Sequence, residues 1–204
     1  MKYLSITPRT VRRVIAVAAT AAAGLAITSA ALAATSASSG TARVATASAA
    51  IPQCAAGLGE SGNVAVWVAA SQGSTAAGTT YYPLEFTNLS GHTCSLYGFP
   101  GVSVITRNGT QLGNPASWNT GVSHQVVNLA PGATAHASLA YHETAVSTEP
   151  GCDPVYTAFE LRVYPPDQYG ATYAFFDLEA CSHAGPIYLT VGPIQAGVGT
   201  IGNV

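Results

Sequence analysis

Leu129-Ala130-Pro131-Gly132-Ala133-Thr134-Ala135-His136-Ala137-Ser138-Leu139-Ala140-Tyr141-His142 reads as a turn feeding a strand, and it decides the fold class. Pro131 presets φ for the second position of a type II turn, and Gly132 accepts the positive φ that the third requires. Beyond the turn, Ala135, Ala137, Leu139 and Tyr141 fall on one face, and His136, Ser138, Ala140 and His142 on the other. A period of two is the signature of a half-buried strand, with an apolar face inward and a polar face solvated. The histidines are therefore expected on the wet side.

Working outward, the same period recurs. Val64, Val66 and Val68 alternate with Ala65, Trp67 and Ala69, so Trp67 points away from the valine stripe. Tyr82, Leu84 and Phe86 alternate with Tyr81, Pro83, Glu85 and Thr87. Pro83 lacks a ladder donor, which predicts an edge strand or a bulge there. Segments 102–106 and 110–112 flank Arg107-Asn108-Gly109, where Asn-Gly tolerates the backbone angles of a hairpin turn. Val155, Phe159, Leu161 and Val163 oppose Tyr156, Glu160 and Arg162, and Pro165-Pro166 stops that run. Segments 172–178 and 187–191 complete the set, and the glycine-rich 192–204 is expected to fray. No window of twelve residues carries a convincing 3.6 period. Eight or nine short strands between turn signals predict an all-β domain, an antiparallel, immunoglobulin-like β-sandwich.

The flanks place that domain. Lys2, Arg9, Arg12 and Arg13 precede an uncharged apolar run, 14–27, and Ala31-Leu32-Ala33 offers small residues to a signal peptidase. Residues 1–33 therefore read as a secretory signal peptide, with an uncleaved anchor or a twin-arginine signal as the alternatives. Residues 34–50, nearly all Ala, Ser, Thr and Gly, have little to bury and read as a flexible linker. Residues 51–204 form one domain of ordinary size. After position 33 the chain keeps three arginines and no lysine against nine carboxylates, a balance of −6. Nucleic-acid binding needs clustered cations and is excluded, and attraction to anionic membranes is disfavoured once the signal is cleaved.

Thr93-Cys94-Ser95-Leu96-Tyr97-Gly98-Phe99-Pro100-Gly101-Val102 resembles the hallmark of a family of secreted bacterial domains, the domain of unknown function 4232 family. Phe86-Thr87-Asn88, Leu129-Ala130-Pro131-Gly132-Ala133-Thr134-Ala135 and Leu161-Arg162-Val163-Tyr164-Pro165-Pro166 match it too, in order. The resemblance implies export, disulfides and a β-sandwich. It implies no activity, cofactor or catalytic residue. By itself the Gly98-to-Gly101 segment reads most simply as a fold determinant, with a ligand-binding turn as the second reading.

Four cysteines in an exported domain read as a disulfide framework, and none is spaced for a zinc ribbon or a redox motif. They permit three pairings. Sequential closure and the family resemblance both favour Cys54 with Cys94 and Cys152 with Cys181. His136 and His142 lie about 20 Å apart along one strand, and with His124 they are not expected to share a metal. Ser61 has no nucleophile-elbow context, and Asp177 and Glu179 read as a solvated face rather than a glycosidase pair. Trp118, in a stretch that is a loop by composition, and Trp67 are the possible ligand contacts. Each also has a packing role open to it: Trp67 under the second face or a loop, Trp118 over the end of the core. The expectation is a secreted, non-catalytic binding module without cofactor or metal, meeting an extracellular protein or a cell-wall polymer. The alternatives are an extracellular metal-binding domain and, after it, a hydrolase.

Overall fold

Period-two alternation becomes ladders. A computed structural model describes residues 50–57 and 63–200. The signal and linker expectations fall outside these, apart from residue 50, as does Ser61. The strands are β1 (Val64–Val68), β2 (Ser74–Ala76), β3 (Thr79–Asn88), β4 (Cys94–Leu96), β5 (Gly101–Ile105), β6 (Gln111–Leu112) and β7 (Ser117–Trp118). They continue with β8 (Val127–Leu129), β9 (Thr134–His142), β10 (Pro154–Tyr164), β11 (Thr172–Cys181), β12 (Leu189–Val191) and β13 (Gln195–Ala196). A five-residue helix, α1 (Glu143–Ser147), and a 3-10 turn (Ala70–Gln72) are the helical elements among the described residues.

The larger sheet runs β1-β3-β9-β12-β7, with β2 added to β3 and β13 added to β9. The second runs β11-β10-β5-β6, and β4 pairs with β8 separately. Ladders are antiparallel except for β7 with β12, which run parallel. The apolar faces of both sheets meet in one cluster that includes Val66, Phe86 and Leu139 from the larger sheet and Val104, Leu161 and Phe176 from the second. Each such side chain contributes about 1.5–3 kcal/mol by leaving water. Two hydroxyls tie elements together across the core: Tyr141 donates to the Glu179 carbonyl at 3.0 Å, and Tyr188 to the Leu112 carbonyl at 2.9 Å. Burial pushes the Tyr141 phenol up to about 12. Cys54 joins Cys94 and Cys152 joins Cys181, with no free cysteine among the described residues. The domain is all-β with two disulfides, as its alternation and cysteines led us to expect.

Three local expectations need correction. Pro83 sits on a central strand, since β3 pairs with β1 on one side and β9 on the other, in unbroken register. It is tolerated because β1 ends beside it. The Pro83 carbonyl still accepts from Ala69 N–H at 2.9 Å, and only the return bond of that last pair is lost. Residues 192–200 do not fray: Ile194 is fully buried, and β13 pairs with β9; 201–204 lie outside the described residues. The polar face of β9 is not simply wet either. His136 is buried, because residues 193–199 pass over it and the Gly197 carbonyl accepts from its Nδ1–H at 2.9 Å. Beside it, fully buried Glu85 accepts from Gly199 N–H at 2.8 Å through Oε1, while Oε2 has no hydrogen-bond partner among the described residues. Burial raises the Glu85 carboxyl, opposed by the Gly199 bond and by nearby His136.

The hairpin forms where expected, around Arg107-Asn108-Gly109. Gly109 N–H reaches the Thr106 carbonyl at 2.9 Å and Gly109 takes a φ of 79°, a three-residue loop closed by a left-handed glycine.

Candidate binding trough

The hallmark segment builds one wall of a trough. The disulfide to Cys54 and the β8 ladder fix β4, and buried Leu96 pins its end. Gly98 then turns the chain at a φ of 96°, where a side chain would strain the backbone, and its carbonyl accepts from Ile194 N–H at 2.9 Å. This reversal leaves the Tyr97 ring exposed and Phe99 half-buried. Gly101 opens β5 opposite Tyr164, and the Tyr164 ring lies over it; a Cβ there would sit 3.4 Å from that side chain.

Trp118 lies across the same wall. Its indole N–H donates to the Pro100 carbonyl at 3.2 Å, and its ring stacks on Phe99 with centroids 5.5 Å apart and planes 17° from parallel. It is nonetheless 57% exposed, so it does not close the core. Its stretch is a loop except for the two-residue β7, which holds it beside β12. His124 packs edge-on to Phe99, with centroids 5.3 Å apart, and tilted against Tyr97 at 4.9 Å.

The opposite wall follows β10. Pro165 and Pro166 end the strand, Gln168 N–H bonds the Pro165 carbonyl at 3.1 Å, and Tyr169 projects wholly into solvent. The Gln168 side chain donates to Gln53 at 3.0 Å, tying this loop to the start of the domain. Between the walls is a space of about 430 Å³. Its lining carries one charge, Asp167, and no lysine or arginine. Such a surface can stack on flat apolar faces and hydrogen-bond polar edges. It offers no nucleophile–base pair.

The sites expected from the sequence are dispersed. Trp67 is exposed on β1, at the far edge of the larger sheet from β7, with its N–H on Thr87 Oγ1 at 3.4 Å. Four strand spacings, about 19 Å, separate the edges, so the two tryptophans do not share a site. The three histidines also stay apart. His142 bonds Thr79 at 2.9 Å and Thr190 at 3.1 Å, the Gly197 carbonyl accepts from His136, and His124 packs against Tyr97 and Phe99. Among the described residues no group of three His, Cys, Asp or Glu is placed to hold a metal. Asp177 is exposed and Glu179 half-buried along β11.

A model of the family described as "Domain of unknown function (DUF4232)" matches residues 54–195. The chain belongs to this family. Both walls of the trough fall within the matched span of this DUF4232 domain, as do both disulfides. No curated protein and no solved structure matches the chain. Tyr97, Phe99, Tyr164 and Tyr169 were not singled out from sequence as contacts. For Tyr97, Phe99 and Tyr164 the available signal was an aromatic residue set directly beside the Gly or Pro of two family segments.

Proposed function

We propose that this DUF4232 domain is a secreted, non-catalytic binding module, and that the aromatic trough is where it meets an extracellular protein or a cell-wall polymer. The observation that carries the reading is the set of exposed rings, Tyr97, Trp118 and Tyr169, held on a backbone that is itself tied down at Gly98, Pro100 and Pro165. Rings held by neighbours before binding, as Trp118 is by Phe99 and Tyr97 by His124, lose little entropy on contact, which is how aromatic side chains supply affinity cheaply. Two disulfides support a life in an oxidising compartment. No helix among the described residues is long and apolar enough to cross a membrane.

The test is retention of the mature domain on cell-wall and secreted fractions, comparing wild type with Trp118→Ala. Loss of an aromatic hot spot costs about 2 kcal/mol or more, roughly thirtyfold in affinity. The variant should stay folded, since it loses one hydrogen bond, one stack and a partly buried ring, together about 2–4 kcal/mol at most. Undiminished retention by folded Trp118→Ala would remove the trough from the reading.

A further inference from the structure

The aromatic surface does not stop at the trough. Tyr164, in its wall, shares the outer face of β10 with Arg162 and Glu160. Those two pair in register with Tyr173 and Phe175 of β11, so all five side chains stand on the solvent side of the second sheet. Phe175 is 85% exposed and Tyr173 more than half exposed. Arg162 lies beside Tyr164: its guanidinium is 5.9 Å from that ring's centroid and donates to Gln111 Oε1 of β6 at 2.8 Å. Residues two apart on a strand are separated by about 6.8 Å, so Phe175, Tyr173 and Tyr164 make a row of rings extending about 14 Å beyond the trough.

Charge narrows what such a row can hold. Aromatic platforms that bind single-stranded nucleic acid run along a cationic groove. Here Arg162 is engaged by Gln111, and Arg107 shares a hollow with Phe175 and Asp177; the carboxylates Glu160, Asp167 and Asp177 outnumber these two arginines along the track. Phosphate- or sulfate-bearing chains would therefore meet a surface of net negative charge. A protein partner would centre on a compact patch that it buries fully, whereas here the rings are strung out along a line from the trough to Phe175, with Asp167, Gln168 and Glu160 beside them. Rings that stack on C–H faces, interleaved with groups that accept and donate to hydroxyls, match a pyranose chain. The geometry points to a linear, neutral polysaccharide lying in the trough and continuing along β10 and β11 over Tyr164, Tyr173 and Phe175. This rests on the trough being the binding surface proposed above, and names its ligand class.

The experiment is calorimetric titration of the secreted chain with oligomers of β-1,4-linked glucose, β-1,4-linked N-acetylglucosamine and α-1,4-linked glucose, each as two and six units. Heparin and a polyproline peptide serve as comparators. At least one neutral series should bind, the six-unit form about tenfold tighter or better, the scale of one or two added ring contacts. Phe175→Ala should erase most of that length gain and leave two-unit binding unchanged. Trp118→Ala should weaken both lengths. Equal affinity of short and long oligomers, or no effect of Phe175→Ala on the long one, overturns the track and leaves the trough standing. Binding of polyproline or heparin with all three neutral series silent overturns the ligand class. Indifference of every bound probe to Trp118→Ala would show instead that the trough is not the binding surface. Phe175 is so exposed that its replacement leaves the core intact, and an unchanged melting curve verifies this.

Discussion

Removing the Cys54–Cys94 bridge by the double change Cys54→Ala and Cys94→Ala should be the more damaging of the two disulfide deletions. The bridge spans 40 residues of sequence, and its partner, Cys152–Cys181, spans 29. Loop-closure entropy assigns about 3.9 kcal/mol to the first and about 3.6 kcal/mol to the second, almost a tie. Burial separates them. Cys54 and Cys94 are both fully enclosed, so two sulfurs leave voids in packed surroundings, whereas Cys152 is only half-buried. A loss of about 4–5 kcal/mol follows for the first pair. For a domain of this size each kcal/mol moves the midpoint by about 2–4 °C, so a fall of about 8–20 °C is expected. Scanning calorimetry without reductant, with the other bridge intact, measures both variants. A fall of less than about 3 °C, or a larger fall for the second pair, would refute the loop-plus-burial reasoning.

The strap and its buried carboxyl supply further tests. Ile194→Ala empties a fully buried site and should cost about 2–5 kcal/mol; the Gly199 amide, which bonds Glu85, should exchange with solvent faster in parallel. A loss within about 0.5 kcal/mol would mean the strap only rests on the sheet. Glu85 is raised chiefly by burial, so the folded state holds its proton more tightly than the unfolded chain. Its contribution is full below the ordinary glutamate value near about 4.3 and is lost as pH rises through the raised value. The midpoint of wild type relative to Glu85→Gln should therefore decline as pH is raised from about 4; a gap that widens in wild type's favour contradicts the assignment.

Much of the fold was legible because its signals are local. Ala135, Ala137, Leu139 and Tyr141 are buried as their spacing requires, and the Pro131-Gly132 turn closes with Ala133 N–H on the Ala130 carbonyl. What stayed hidden depends on distant chain. Pro83 obeys the rule that prolines avoid lost ladder bonds, but where β1 stops decides the outcome, and no window around residue 83 contains that fact. The polar residues of β9 looked solvated because their cover arrives some 60 residues later, at Gly197. The trough had the same difficulty. Tyr97 and Tyr169 belong to segments that become neighbours only through the β5–β10 ladder, so Trp118 could be noticed alone while the rings around it could not.

The Cys54–Cys94 bridge also fixes how the domain would carry a mechanical load. Tension entering from the N-terminal side passes from Gln53 to Cys54, crosses the sulfurs to Cys94 and continues into β4 and the Gly98 bend. Strands β1, β2 and β3 lie wholly inside the bypassed loop. Some 40 residues, about 140 Å of extended chain, are thereby withheld from stretching while the bond is oxidised. A pull on a tethered copy would reach the Gly98 wall of the trough before it reached the centre of the larger sheet.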